Sequence, residues 1–187
     1  MSVWNIPGAD ENPAGARPPV ARIVVTPDGN LRAGTWTAPA RLGRSGVKQD
    51  KVEGDGATPA GVFALRWVFY RPDRETAPLT GLPVRALTPT LGWCDDPADP
   101  AYNREVTLPY PASAESMWRD DGLYDLGVVL GHNDDPVVPG AGSAVFLHVA
   151  DPGGRPTAGC VALALADLRA LLAVCGPATV LEIRAGA

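Results

Sequence analysis

The sequence has few of the side chains from which reactive sites are usually built: two histidines and three cysteines in 187 residues. It also lacks an apolar run near the roughly 20 residues that a membrane-spanning helix needs. No run of Lys or Arg occurs, and 16 basic against 21 acidic residues leave a formal charge of -5, which argues against nucleic acid as a partner. The spacing of Cys94, Cys160 and Cys175 matches neither a disulfide framework nor a zinc motif, so at least one thiol is free.

Glycine and proline, in contrast, are abundant, with 21 and 20 residues spread along the chain. They favour short strands joined by turns over a helical bundle. Several segments have the composition or apolar length of strands: 21–25, 31–36, 62–70, 124–133, 143–150 and 179–184. Helices are predicted at 113–118 and at 166–175, the second ending before Gly176-Pro177. We therefore expect a β-rich fold with a few short helices, a mixed-strand sandwich or partly closed barrel.

Residues 1–19 are rich in Pro, Gly and Ala without periodicity, and we interpret them as a loose leader ahead of a single domain at 20–187. The first residues have no basic flank and no apolar core, so no signal peptide is visible. An export signal outside this sequence and a role inside the cell both stay open. The sequence is silent on oligomeric state.

His148 and Cys160 are the candidates for a reactive pair. His148 ends the apolar run AVFLH, and Cys160 follows the loop VADPGGRPTAG, so a strand end and a Gly-rich return could bring the two side chains together. A thiolate forms efficiently only beside a base or a cation, which is the chemistry of a cysteine nucleophile with a histidine base. Gly159 has no side chain to block the approach of a substrate carbonyl. It also leaves backbone N–H groups available to donate hydrogen bonds to the oxyanion. The alternative is a free cysteine buried in the core.

The segment HVADPGGRPTAGCVAL resembles the signature of the YkuD-type L,D-transpeptidase family, a histidine followed by a loop and a Ser/Thr-x-Gly-Cys core. The matching residues are His148, Thr157, Gly159 and Cys160. EGDGATPAGVF resembles the upstream element of the family, and its matching residues are Thr58, Pro59, Gly61 and Phe63. Ala158 stands where many members carry a second histidine, so no substrate-binding role is carried over to that position.

This resemblance implies an L,D-transpeptidase-like fold and a covalent mechanism on peptidoglycan stem peptides, in the periplasm or cell wall. Cys160, assisted by His148, would form a thioester with release of D-alanine, and an amine of a second stem would resolve it. The main-chain carbonyl of Val149 would orient the imidazole, and the N–H groups of Gly159 and Cys160 would hold the oxyanion. No metal or organic cofactor is expected.

Other residues have two interpretations each. Thr157, His132 and Asn133 are candidates for substrate binding, although a turn hydrogen-bonded to its Asn-Asp neighbours is the simpler role for the loop that begins at His132. Lys51 and Glu53 could line a groove, but charged loop residues are usually solvated, and we predict that for them. Core positions are predicted for Cys94 and Cys175, and a solvated turn rather than a calcium loop for the nearby carboxylates Asp95, Asp96 and Asp99.

Three rival functions remain at this stage. The first is a carboxypeptidase or peptidoglycan hydrolase of the same fold, in which water resolves the thioester. The second is a cell-wall binding module with a dead site, which predicts an unreactive Cys160. The third is a zinc hydrolase with His132, His148 and Cys160 as ligands, for which no ligand spacing exists.

Overall fold

The computed structural model describes residues 19–186, whose regular structure is fourteen strands and one helix. In chain order these are β1 Arg22–Val25, β2 Asn30–Ala33, β3 Trp36–Pro39, β4 Val47–Lys48, β5 Thr58–Pro59, β6 Gly61–Tyr70, β7 Val84–Ala86, β8 Leu91–Cys94, β9 Glu105–Thr107, β10 Ala114–Ser116, β11 Leu126–Leu130, β12 Phe146–Val149, β13 Val161–Leu163, α1 Leu165–Leu172 and β14 Val180–Ile183. The predicted β-rich class is confirmed. Of the predicted leader, all but Pro19 lies outside the described residues.

Nine strands form one sheet that curls almost into a barrel. Eight of them follow the order β13-β12-β11-β6-β14-β1-β2-β3, and β7 pairs with β6 beside them. The ten-residue β6 holds the sheet together because its first half pairs with β14 and its second half with β11. Just past β3, Arg41 exchanges two backbone hydrogen bonds of 2.8 Å with Ala162 in β13. The two ends of the sheet therefore meet, as in a partly closed barrel.

Alternating side chains on the strands build two apolar cores. On β11, Leu126, Val128 and Leu130 face a large main core inside the curled sheet, whereas Val129 faces a second cluster outside it. We call this second group the aromatic cluster; its buried members are Trp67, Phe69, Leu87, Trp93, Met117, Tyr124, Val129, Phe146 and Cys160. It fills the space between the main sheet and a three-stranded sheet of order β10-β8-β9. The candidate nucleophile thus lies where the two sheets pack together.

The predicted helix at 113–118 is wrong, and with it the helix expected before His148. Ala114–Ser116 is strand β10, paired antiparallel with Gly92–Cys94 of β8. Six residues are too few for a helix to form on local propensity, so pairing with β8 and burial of Met117 decide the conformation.

The predicted helix at 166–175 is confirmed as α1, which covers the main core with Leu168, Leu171 and Leu172. The helix proper ends at Leu172, and Cys175 lies just beyond it with 3% of its surface exposed. Cys94 is fully buried in β8. Both cysteines therefore occupy the core positions predicted for them.

Candidate active site

Two neighbouring parallel strands, β12 and β13, place His148 and Cys160 on the same face of the sheet. The register sets Leu147 opposite Val161, and both of these side chains enter the main core. Since side chains alternate along a strand, Phe146, His148 and Cys160 project from the other face. Cys160 immediately precedes β13 and lies next to Phe146, whose backbone N–H donates to its Sγ over 3.3 Å. The Gly-rich loop between the strands therefore returns the cysteine beside the histidine strand.

The imidazole of His148 is held in one tautomer. Its Nδ1 lies 2.8 Å from the carbonyl oxygen of Val149, and because a carbonyl only accepts, Nδ1 carries the proton. The lone pair is then on Nε2. The edge of the Tyr124 ring packs against the imidazole with 5.3 Å between ring centroids, which fixes the ring plane. His148 has the geometry of a base whose free nitrogen is Nε2.

Burial keeps the side chains of His148 and Cys160 neutral. It lowers the pKa of His148 to about 4, against the hydrogen bond with Val149, which favours the protonated ring. It raises the pKa of Cys160 to about 12, although the Phe146 N–H and the cations of Lys51 and Arg119 oppose the shift. The thiol donates to the carbonyl oxygen of Ala144 at 3.3 Å. A thiol and an uncharged imidazole are therefore the ground state at neutral pH.

Two threonine hydroxyls fix the backbone of Cys160. Thr157 Oγ1 donates to the Cys160 carbonyl at 2.7 Å, and Thr58 Oγ1 donates to the same oxygen at 3.1 Å. Thr58 also accepts from the N–H of Gly43 at 2.8 Å. The upstream Thr-Pro-x-Gly-x-Phe element thus touches the Gly-Cys core directly. Thr157, predicted as a substrate contact, has its hydroxyl engaged with the protein backbone here.

Gly159 occupies a position that only glycine fits without strain. Its φ is +148°, and a Cβ there would approach the carbonyl oxygen of Ala57 to 2.9 Å. Its N–H, one of the two predicted oxyanion donors, donates to Thr157 Oγ1 at 3.1 Å.

A cleft of about 420 Å³ opens over His148 and Cys160. Nine charged side chains line it, of both signs: Arg44, Lys51, Glu53, Asp95, Glu115, Arg119, Asp121, Asp151 and Arg155. Such a wall suits a polar, charged peptide better than an apolar ligand. The prediction that Lys51 and Glu53 are merely solvated is wrong, since both face the cleft and the Lys51 side chain is only 6% exposed.

Glu115 and its neighbours form the wall beside the imidazole. Glu115 Oε1 accepts from the Tyr124 hydroxyl and from Arg119, both at 2.9 Å, and Arg119 also pairs with Asp121. Burial raises the pKa of Glu115, against the opposing effects of Tyr124 and Arg119. Sequence reasoning missed this group because the segment of Glu115 was assigned to a helix.

Asn103 is a second residue that sequence reasoning missed. It is 4% exposed, and its Oδ1 accepts from the Trp93 indole at 2.9 Å and from the Ala144 N–H at 3.1 Å. Its Nδ2 donates to the carbonyl oxygens of His132 and Asn133. Asn103 thereby fixes Ala144, the residue whose carbonyl accepts from the Cys160 thiol. No local motif marks such a residue, since its partners are distant in sequence.

His132 and Asn133 do not reach the Cys160 cleft. His132 Nε2 lies 2.9 Å from the Ala141 carbonyl, and the residue lines a neighbouring cleft with Trp67. Asn133 uses its amide to tie down Val138 and the backbone of Gly142. The structure therefore places both residues outside the cleft lining, although a Cβ on Gly142 would lie 3.0 Å from His132 Nε2 and 2.9 Å from Lys51 Cγ.

Within residues 19–186, no group of three or more His, Cys, Asp or Glu side chains could hold a metal ion. The same range contains no helix long and apolar enough to cross a membrane.

Comparison with protein families gives one match that spans nearly the whole chain. The family model described as the L,D-transpeptidase catalytic domain, YkuD, matches residues 20–183. Comparison with curated proteins and with solved structures gave no match. The matched range includes His148, Cys160 and the upstream Thr58 element, so the resemblance seen in the sequence is confirmed.

Proposed function

Because this chain belongs to the YkuD family of L,D-transpeptidase catalytic domains, we propose that it is a cysteine acyltransferase acting on peptidoglycan stem peptides. The observation that carries the proposal is the shared face of β12 and β13, where Cys160 and a tautomer-fixed His148 line one cleft. The family places such work outside the cytoplasm, in the periplasm or cell wall.

In the proposed reaction, Cys160 Sγ attacks a peptide carbonyl of the stem as its proton passes to His148 Nε2. Proton transfer and attack are coupled, because burial disfavours a free thiolate beside an imidazolium. The tetrahedral intermediate collapses to a thioester, and the leaving amine of D-alanine takes the proton from His148. An amine of a second stem then repeats the sequence in reverse and restores the thiol.

The test uses a synthetic tetrapeptide stem that ends in D-alanine, with and without an added acceptor amine. We expect an acyl-protein adduct on Cys160 by intact-protein mass spectrometry, followed by a cross-linked product. Cys160→Ala should form no adduct, whereas Cys175→Ala, which removes a buried thiol of the main core outside the cleft lining, should form it as wild type does.

Two outcomes change the proposal. An adduct that yields only the shortened tripeptide, even with acceptor present, would make the protein a carboxypeptidase of the same fold. A wild-type Cys160 that never acquires an acyl group, and that reacts with alkylating reagents no faster than a free thiol in solution, would contradict the enzyme and support a binding module.

A further inference from the structure

We propose that Lys51 is a further catalytic residue, whose ammonium stabilises the oxyanion and the developing thiolate at Cys160. This inference rests on the proposed function, because it assumes that Cys160 is the nucleophile. It assigns a task to a lysine that lies outside the Gly-Cys motif and that the sequence suggested was solvated.

The side chain of Lys51 runs between two glycines toward the nucleophile. A Cβ on Gly142 would lie 2.9 Å from Lys51 Cγ and 3.1 Å from Cε, so the aliphatic stem needs a glycine there. At the other end, Nζ lies 3.6 Å from the position of a Cβ on Gly159. The ammonium therefore stands beside Gly159, the residue before the nucleophile.

The ammonium is anchored so that one donor remains for the cleft. Nζ donates to Asp55 Oδ1 at 2.6 Å and to the Val52 carbonyl at 3.0 Å. Burial alone would raise the pKa of Asp55, but the bond from Lys51 and two backbone N–H groups lower it to about 2. Among the described residues these two acceptors take two of the three N–H donors of Lys51, which leaves the third for a ligand.

The site needs this charge. During attack the C–S bond forms, the π pair of the carbonyl moves onto its oxygen, and the thiol proton goes to His148. The Gly159 N–H already donates to Thr157 Oγ1, so only one of the two expected backbone donors remains for the oxyanion. Two other cations of the cleft are paired with carboxylates: Arg119 with Asp121, and Arg155, which is 76% exposed, with Asp151. The guanidinium of Arg44 lies against Gly56, 2.8 Å from the position of a Cβ there. The Lys51 ammonium supplies the missing positive charge in a partly desolvated place.

The test compares Lys51→Met with wild type, with Lys51→Arg as the charge-preserving variant. Lys48→Met is the matched control, because Lys48 also faces Asp55, at 3.7 Å, but is 48% exposed and lies outside the cleft lining. We expect the rate constant for acylation of Cys160 to fall about 100-fold in Lys51→Met, to recover partly in Lys51→Arg, and to stay unchanged in Lys48→Met.

A second readout measures the local charge and needs no acyl chemistry. The ratio of the alkylation rates of Cys160 by anionic iodoacetate and neutral iodoacetamide should fall about tenfold in Lys51→Met. If Lys51→Met fails to fold, both measurements are made on Lys51→Gln, whose amide can still donate to Asp55. An unchanged ratio and acylation rate, or equal losses in Lys48→Met, would overturn the role of Lys51. Failure of wild type to be acylated, with the ratio still sensitive to Lys51, would instead count against the proposed function.

Discussion

Cys160 and Cys175 are two buried thiols in one chain, with 8% and 3% of their surfaces exposed. Burial raises the pKa of each to about 12. Their surroundings differ: Cys175 Sγ contacts the Leu171 carbonyl at 3.2 Å inside the main core, with apolar side chains around it. Cys160 receives a hydrogen bond from the Phe146 N–H and faces a cleft that it shares with His148. Burial therefore does not distinguish a structural cysteine from a candidate nucleophile. A hydrogen-bond donor to the sulfur, a neighbouring histidine and a cleft with space for a ligand do distinguish them.

Removing the base is the change that should bring Cys160 nearest to Cys175. We expect His148→Gln to slow acylation of Cys160 by about 10²- to 10⁴-fold, because the thiol then has no group to accept its proton. Time-resolved intact-protein mass spectrometry measures the rate. His132→Gln is the matched control, since His132 lies outside the cleft lining with its Nε2 at the Ala141 carbonyl, and it should slow acylation far less than His148→Gln. Equal rates in wild type and His148→Gln would remove the main distinction between the two thiols.

The pH dependence follows from the lowered pKa of His148. Acylation should stay level on acidification from neutral pH and decline as pH falls through about 4, where the imidazole becomes protonated. In the unfolded chain the same histidine takes up its proton near the ordinary pKa of histidine, about 6.5. Unfolding therefore gains protons between these values, and His148 destabilises the fold as pH falls through that window, by about 3 kcal/mol at most. In denaturant unfolding, wild type should lose stability relative to His148→Gln as the pH falls from 7 to 4.

Crowding Gly159 should have a smaller effect on the same thiol. Gly159→Ala places a Cβ 2.9 Å from the Ala57 carbonyl in a backbone with φ of +148°, so the peptide before Cys160 must shift. We expect acylation to slow about 10- to 100-fold, because sub-ångström misplacement of a nucleophile is costly. Gly154→Ala is the control: its φ is +76°, but the nearest atom is 3.5 Å away, on the flexible side chain of Arg41. Equal losses in both variants would assign the effect to loop strain rather than to placement of Cys160.

The sequence predicts the environment of these thiols unevenly. Leu168, Leu171 and Leu172 recur at helical spacing before Cys175, so its core position follows from a local pattern that the structure confirms. The strands that carry His148 and Cys160 are likewise apolar runs bounded by glycines. The parallel register that places both residues on one face of the sheet cannot be predicted from the local sequence. It depends on an 11-residue return between the strands, at 150–160, being held by contacts with the segment after β3.

The residues that complete the site were beyond prediction for the same reason. Lys51 packs where Gly142, from a distant part of the chain, makes room for its stem. Asn103 holds Ala144 across 41 residues. Glu115 faces the cleft because its segment joins β8 as a strand, against the helical preference assigned to it. Contacts between distant parts of the chain thus decided the positions of these residues, which composition and propensity could not predict.

The smallest effect is expected at Cys175 itself. Cys175→Ala should leave the acylation rate of Cys160 unchanged, because Cys175 belongs to the main core and lines no part of the cleft described here. It should lower the free energy of unfolding by about 1 kcal/mol, through lost packing and the lost contact with Leu171. Cys175→Ser is the matched variant, since its hydroxyl can still donate to the Leu171 carbonyl while the apolar sulfur is gone. Denaturant unfolding and the acylation assay, run on both variants, separate packing from chemistry. A folded Cys175→Ala that acylates several-fold more slowly would show that the two cysteine environments are coupled through the sheet, and the contrast between them would then fail.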